Sequence, residues 1–345
     1  MEPFAHVDGR LATGLVEIRH DLDGLDGLDG LDSLDTSGFW VVVVSFEGRV
    51  TCARFAEVHV APLPAAAWQG VDPASWTSSL DRSAYVEGVE AIRRLIADGS
   101  VYQVNLCRVL SAPTGAADLT GLANVLAAKH PSRYPALVCL PSEGIQVCSA
   151  SPELFLSRGR IGTDDVVQTR PIKGTGRTTR DISAKDRAEN IMIVDMARND
   201  LSRVARTGGV DVPALCEIEE YPGLVHLVST VQATLVPGVT WSEIFAATFP
   251  PASVSGAPKS SALRIIRDLE PAPRGPYCGA VGWVDATTGS AALCVAIRTF
   301  WLDADQLRFG TGAGITWGSD PQAEWAETEL KAELLLAAAS SNVRR

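Results

Sequence analysis

No apolar run in this sequence is long enough to cross a bilayer as a helix, and residues 1–10 hold no apolar core of a secretory signal, so a cytoplasmic protein is expected. Lys and Arg form no concentrated run either. With 30 of them against 41 Asp and Glu the net charge is −11, which argues against nucleic acid as a partner. The seven cysteines, at 52, 107, 139, 148, 216, 278 and 294, include no C-x-x-C pair. They are odd in number, scattered and mostly set in apolar stretches, so they read as reduced core residues rather than a disulfide framework or a zinc site. The single low-complexity stretch is a Leu-Asp-Gly triplet recurring over about 21–36. Acidic residues alternating with glycine bury little, so the expectation there is a flexible, solvated insertion.

What remains is ordinary for a globular chain of 345 residues with 46% hydrophobic content, ample for a core in one large or two modest domains. The organisation expected is a short N-terminal region over 1–80, part of the same fold, and a main domain over 81–345. Valine-rich 39–46 reads as a buried strand with a hairpin partner over 49–60. Ser83 is placed to cap a helix that stops at Gly99. Residues 101–110 alternate, with Tyr102, Val104, Leu106 and Leu110 on one face and Gln103, Asn105 and Cys107 on the other. A helix over 119–129 and short strands over 136–140, 144–150, 154–157 and 165–168 follow. So many short strands argue for antiparallel pairing. Later come helices over 185–205, 241–249 and 259–269, a strand over 224–235, and a hairpin over 278–284 and 291–300. A long C-terminal helix is capped by Asp320 and started by Pro321. Strands and helices without strict alternation indicate the α+β class.

Several residues could carry chemistry. Lys173 lies in Pro171-Ile172-Lys173-Gly174-Thr175, a Pro/Gly loop between a strand-like and a helix-like run. Burial disfavours an ammonium relative to the neutral amine, and the neutral amine is the nucleophile. By itself the segment is an ordinary turn with a surface lysine. Glu324, Glu327, Thr328 and Lys331 share one helical face, and Asp186 and Glu189 share another. Such carboxylate pairs suit a hard cation such as Mg²⁺, or simply face solvent. Gly312-Ala313-Gly314 follows a strand and could let backbone N–H groups reach an anion, or be a turn. Arg298 sits among Val295, Ala296 and Ile297, where a buried guanidinium needs an anion, supplied by a carboxylate ligand or by a structural Asp or Glu. His226 lies in an apolar run, where a core role is the ordinary one. Glu153 after Ser151-Pro152 is a general acid if burial raises its pKa, and a turn residue otherwise.

Taken together and in order, these blocks resemble the chorismate-utilising enzymes: the component I subunits of anthranilate and aminodeoxychorismate synthases, with the isochorismate and salicylate synthases as cousins. The blocks are Tyr102-Gln103-Val104-Asn105-Leu106, Ser151-Pro152-Glu153, the Lys173 loop, Asp186-Arg187-Ala188-Glu189-Asn190, His226-Leu227-Val228-Ser229-Thr230, Ser255-Gly256-Ala257-Pro258-Lys259, Ile297-Arg298-Thr299, the two glycines and Glu327-Thr328. The resemblance covers about 83 to the C-terminus. It implies two packed antiparallel sheets flanked by helices, with a site deep between them. It implies that Glu189 and Glu327, supported by Asp186 and Glu324, hold Mg²⁺, which grips the ring carboxylate of chorismate. Arg298, Tyr277 and the amides around Gly312 and Gly314, with Lys331 nearby, would take the enolpyruvyl carboxylate. Glu153 would protonate the departing hydroxyl. His226, Gly174, Thr175 and Ser253 would line the substrate site.

Lys173 separates the subfamilies. Anthranilate synthases resemble this chain but carry alanine in that loop. Lysine there resembles the aminodeoxychorismate synthases, and implies a covalent lysine intermediate and amination para to the ring carboxylate. Ammonia would come from a separate glutamine amidotransferase subunit. The chain departs from the family pattern at Pro250-Pro251-Ala252-Ser253 and at Thr316-Trp317-Gly318. It shows no motif for tryptophan feedback.

Overall fold

The computed structural model describes residues 2–21, 29–221 and 224–343. The chain opens with β1 (Phe4–Val7) and β2 (Arg10–Asp21), joined over Asp8 and Gly9, both at positive φ. Then come β3 (Phe39–Val44) and β4 (Val50–Val60), the valine-rich hairpin. β5 (Thr77–Ser78) leads into α1 (Arg82–Ala97). Its N-cap is Asp81, not the expected Ser83: Asp81 Oδ1 accepts from Ala84 N at 2.9 Å, and Gly99 ends the segment at φ +74°. β6 (Gln103–Pro113), α2 (Thr120–Lys129), β7 (Tyr134–Leu140), β8 (Ile145–Ser151), β9 (Leu154–Ile161), β10 (Asp164–Arg170) and β11 (Ile172–Gly176) follow. Tyr102 precedes β6 and is exposed instead of lining its apolar face.

α3 (Ala184–Ser202) starts with a capping box in which Ser183 and Asp186 satisfy each other's backbone donors. After it come β12 (Ala205–Tyr221), β13 (Leu224–Leu235), α4 (Trp241–Thr248), β14 (Gly256–Ala257) and α5 (Lys259–Leu269). The last elements are β15 (Ala280–Asp285), β16 (Ser290–Val295), β17 (Thr299–Asp303), β18 (Gln306–Ile315) and α6 (Pro321–Ala339), whose N-terminus Asp320 caps. Pro222 and Gly223, expected before a strand, lie outside the described residues.

The α+β class and antiparallel pairing hold. Two sets of strands form the architecture. One runs β6, β18, β17, β8, β7, β1. The other runs β3, β15, β16, β9, β10, β13, with β11 and β12 on β13. Rather than being separate sheets, the sets are linked through β1–β2, β2–β4 and β4–β3 into one 18-stranded ladder. Side chains from both meet in one core: Val104, Leu106, Val147 and Ile315 from the first, Val42, Leu156, Val167 and Leu293 from the second. A second core packs α2 and α6 (Leu122, Leu126, Leu335, Ala339) on Phe300 and Phe309.

Two expectations change. β12, a 17-residue strand, is broken by register shifts against β13 and carries Thr, Gly, Asp and Pro. Those residues suppress its period-2 signal, so the sequence reading omits it. The second change is in the acidic repeat. Residues 22–28 lie outside the described part. Asp29–Asp35, however, is a 3₁₀ helix with Leu31 and Leu34 fully buried. Asp35 Oδ2 accepts from Trp241 N at 2.9 Å and Asp32 Oδ1 from Ser242 Oγ at 2.5 Å, at the start of α4. The three-residue period brings Leu31 and Leu34 to one side of a 3₁₀ turn, where they find an apolar wall. Leu34→Ala should therefore cost about 2–5 kcal/mol in urea unfolding, as a core truncation does. A loss below about 0.5 kcal/mol, typical of a solvated loop, would show that this segment is not part of the core.

Candidate active site

The chain passes between the two strand sets twice in neighbouring places: from β8 to β9 at Pro152-Glu153, and from β16 to β17 at Ala296-Ile297-Arg298. The crossings are laced together. Ser151 Oγ donates to Val295 O at 2.6 Å, Val295 N to Glu153 O at 3.0 Å, and Ala150 N to Arg298 O at 3.0 Å. Arg298 thus lies in a break between strands, at φ +52°, and not inside one continuous strand. A non-glycine residue held in the left-handed region needs surroundings that fix it.

Glu153 is 4% exposed. Burial pushes its carboxyl up to about 7, against the opposing pull of a hydrogen bond with Ser253, the charge of Lys173 and the Ile172 backbone. Near neutral pH it can therefore hold a proton and give it away. Ser253 comes from the loop 249–258, which is held firmly. Lys259 Nζ donates to Asp200 Oδ2 at 2.8 Å and Thr248 O at 2.9 Å. The buried guanidinium of Arg274 donates to Glu270, to Val254 O at 2.8 Å and to Asn105 O at 2.9 Å.

Lys173 lies on β11, not in a surface turn. Its side chain is 18% exposed, and Nζ is 3.6 Å from Glu189 Oε2 on α3. It faces β18 across the gap between the strand sets. A Cβ at Gly314 would lie 2.7 Å from Gln103 Nε2, 2.9 Å from Asn105 Oδ1 and 3.2 Å from Lys173 Nζ. At Gly312 a Cβ would strike Cys107 Sγ at 2.5 Å, and at Gly310 the Tyr277 ring at 2.1 Å. Gly310, Gly312 and Gly314 thus form a bare strip inside β18, so the turn reading of Gly312-Ala313-Gly314 does not apply, and only bare backbone lets those groups come so close. The pairing also matters. Cys107 N and Asn105 N donate to Glu270 Oε1 and Ser255 O, not to β18. By antiparallel alternation, Gly312 and Gly314, their partners, turn their own N–H groups away from β6, beyond the end of β17. The Gly312 carbonyl accepts from Lys331 Nζ at 3.0 Å.

The acidic pairs on α3 and α6 converge. Lys185 Nζ lies 3.7 Å from Glu189 Oε1 and 3.5 Å from Glu324 Oε1, one carboxylate from each helix. Lys331 pairs with Glu327 at 2.6 Å. Burial works to raise the Glu327 carboxyl, but Lys331, with Lys173 and Lys185, holds it below its ordinary value. Three carboxylates from two helices are hard oxygen donors of the kind Mg²⁺ takes, and a cationic group already sits between two of them. Among the described residues no three His, Cys, Asp or Glu side chains form a ready-made cluster. Asp186 lies at the edge. Its Oδ2 accepts from Ser183 N and Oγ, and its Cβ and Cγ lie 2.9 and 3.0 Å from where a Gly174 Cβ would be, with Gly174 at φ +79°.

Arg298 is the candidate anion receptor. Burial lowers its pKa, and among the described residues no carboxylate pairs with it, so the structural Asp or Glu alternative does not apply. Near it, His226 on β13 is 3% exposed, and burial, with the Arg298 charge, pulls its ring down to about 4. At neutral pH it is an uncharged polar wall. Its cross-strand neighbours are Thr175 on β11 and Glu219 on β12. Tyr277 is buried with its ring on Gly310 and its hydroxyl 3.9 Å from Cys107 Sγ.

Four positions carry weight that the sequence reading did not give them. Asn190 donates to Pro171 O at 3.5 Å and accepts from Ser229 Oγ, tying α3 to the strand before Lys173. Lys185 bridges the acidic helices. Gln103 is 1% exposed and has its Oε1 buried without a partner among the described residues. Asn105 stands beside it. The alternating polar face of 101–110 and the Tyr102–Leu106 block hinted at the last two, without giving them a role.

Comparison with known proteins agrees with this picture. Residues 46–337 match the family described as chorismate binding enzyme. The chain is 33% identical over 321 residues to anthranilate synthase component 1 1 of Haloarcula marismortui, covering 88% of this chain and 65% of that protein. It is 40% identical over 266 residues to aminodeoxychorismate synthase of Streptomyces pristinaespiralis, covering 74% of this chain and 36% of that protein. The chain therefore spans less than two thirds of these curated relatives. Among solved structures, anthranilate synthase component I from Streptococcus pneumoniae superposes with a TM-score of 0.75 at 25% identity, over 97% of this chain and 91% of that one.

The buried acid has a thermodynamic consequence. Glu153 binds its proton more tightly folded (about 7) than unfolded (4.5), so stability from this group is complete below about 4.5 and is lost as pH rises through about 7. Relative to Glu153→Gln, the wild type should lose on the order of 3 kcal/mol between pH 4.5 and 8. Urea unfolding of both proteins across that range checks it, and parallel curves would mean that Glu153 is not desolvated.

Proposed function

Because the chain belongs to the chorismate binding enzyme family, we propose that it is the aminating subunit of an aminodeoxychorismate synthase. It would convert chorismate and ammonia to 4-amino-4-deoxychorismate, with ammonia supplied by a separate glutamine amidotransferase subunit. The observation that carries this reading is Lys173: a lysine 18% exposed, in the gap between the strand sets, facing the bare backbone of Gly314 and close enough to Glu153 to influence its charge.

Chorismate has two carboxylates, and the site offers two kinds of receptor. Arg298 and the outward N–H groups of Gly312 and Gly314 suit the enolpyruvyl carboxylate, and Lys331 adds positive charge at that end. Glu189 and Glu327, with Glu324, suit Mg²⁺, which when bound would supply a fixed charge for the ring carboxylate. Asp186 is a weaker candidate because one of its oxygens is committed to capping. The neutral His226 and the β11 backbone at Gly174 and Thr175 flank the ring, and Ser253 holds the acid.

The chemistry follows. The Lys173 amine forms a bond to C2 of the ring, the ring double bonds shift, and the C4–O bond breaks. Glu153 gives its proton to the leaving oxygen, which departs as water. Ammonia then bonds to C4, the double bonds shift back, the C2–N bond breaks, and Lys173 leaves as the amine. Nitrogen ends para to the ring carboxylate because Lys173 occupies C2 while ammonia arrives. With alanine in that loop ammonia itself would attack C2, which is the anthranilate outcome and the rival reading.

Incubation with chorismate, Mg²⁺ and ammonium in mildly alkaline buffer should give 4-amino-4-deoxychorismate. Anthranilate or isochorismate as sole product overturns the proposal. Lys173→Ala should lose para amination and any trapped covalent adduct. A variant as fast as wild type, with no adduct in either protein, would remove the covalent role. Glu153→Gln should cut kcat by about 10²–10⁴-fold, as loss of a general acid does. With free ammonia held saturating, kcat/KM for chorismate should fall on the alkaline side of about pH 7, where Glu153 loses its proton in the free enzyme. A profile flat to pH 9 would assign the acid elsewhere.

A further inference from the structure

We propose that Lys185 is a built-in counter-cation of the acidic helices, which holds Glu189 and Glu324 together and competes with a divalent ion for them. The inference rests on the reading of Glu189, Glu324 and Glu327 as metal ligands.

The need for such a group follows from burial. The Glu324 side chain is 5% exposed and that of Glu189 13%, one on α6 and one on α3. Two carboxylates so placed repel each other and have lost most of their water, so a cation must stand between them whenever no metal does. Lys185 fills that place, at 3.7 and 3.5 Å from the two oxygens. The other charges facing this point are Lys173, 3.6 Å from Glu189, and Lys331, 2.6 Å from Glu327. Three carboxylates thus meet three ammonium groups, and the charges of this cluster balance without a metal. Lys173 and Lys331 have other duties: one lies against β18, and the other donates to Gly312 O. Among the described residues, Lys185 is the lysine that pairs with a carboxylate on each helix.

Its build suits displacement. Lys185 occupies the first turn of α3, and its side chain is 52% exposed, so the ammonium can swing into water on its four-carbon stem. A divalent ion held by the same oxygens would lie within a few ångströms of the ammonium, where like charges repel strongly. The lysine therefore leaves as a cation when the metal arrives, and no proton has to move. Metal affinity in the free protein is the difference between two cations' attraction to one set of oxygens.

The test is titration of MgCl₂ into the full chain by calorimetry, at fixed pH and salt and without substrate. Lys185→Met should bind Mg²⁺ at least about tenfold more tightly than wild type, whereas Lys185→Arg, which keeps the charge, should stay within about threefold. The melting temperature gives a second readout. Without Mg²⁺ Lys185→Met should melt lower than wild type, and saturating Mg²⁺ should raise it more. If Lys185→Met binds Mg²⁺ no more tightly than wild type, while Glu189→Gln abolishes binding, the counter-cation role is wrong and the ligand assignment stands. If Glu189→Gln and Glu327→Gln leave Mg²⁺ binding unchanged, the ligand assignment and this inference fall together. Should the methionine variant not fold, Lys185→Gln carries the same comparison.

Discussion

The molecule depends on two crossings of the chain between its strand sets. At each crossing the backbone leaves one ladder and enters the other, and its N–H and C=O groups lose their strand partners. They find them in each other, through Ser151 Oγ to Val295 O, Val295 N to Glu153 O and Ala150 N to Arg298 O. This lacing fixes the two sets relative to one another. It also places an acidic and a basic residue, Glu153 and Arg298, on the two crossings. Burial raises one pKa and lowers the other, and both effects favour the neutral form energetically. For Glu153 that yields a proton donor near neutral pH. Arg298 stays charged in any protein, and among the described residues no carboxylate pairs with it, which makes it the candidate receptor for an anion.

The rest of the site is charge set against shape. Along β18 three glycines keep one strip free of side chains, and Lys173, Gln103, Asn105, Cys107 and Tyr277 crowd into the space released. On α3 and α6 the opposite device operates, with long side chains of alternating sign neutralising one another across the gap. A site built this way is stable before any ligand binds. The supporting bonds lie outside it. Asn190 secures α3 to Pro171, Lys259 secures the Ser253 loop to Asp200, and Arg274 joins that loop to β6.

Much of this was legible in the amino-acid order. The buried strand at Phe39–Val44, the helix ending at Gly99, the strand at Leu224–Leu235 and the cap at Asp320 each come from local rules of periodicity, turn chemistry and capping. Those rules fail where context overrides them. β12 pairs along 17 residues despite a poor strand pattern, because β13 beside it is apolar and complete. Leu31 and Leu34 sit in a sequence that looks solvated, yet they are buried because α4 offers a wall and a helix start to receive them.

Fold class, family and the identity of the candidate site groups are readable in the order of the amino acids, since these depend on residue type and on spacing along the chain. Lys173, Glu153, Arg298 and the carboxylates on α3 and α6 were visible in it. What each group meets emerges from the folded chain alone. That no carboxylate among the described residues pairs with Arg298, that Gly312 and Gly314 lie inside a strand with their amides turned outward, and that Lys185 stands between two helices are facts about distances through space. They join residues more than a hundred positions apart, and no local pattern in the chain encodes such a separation.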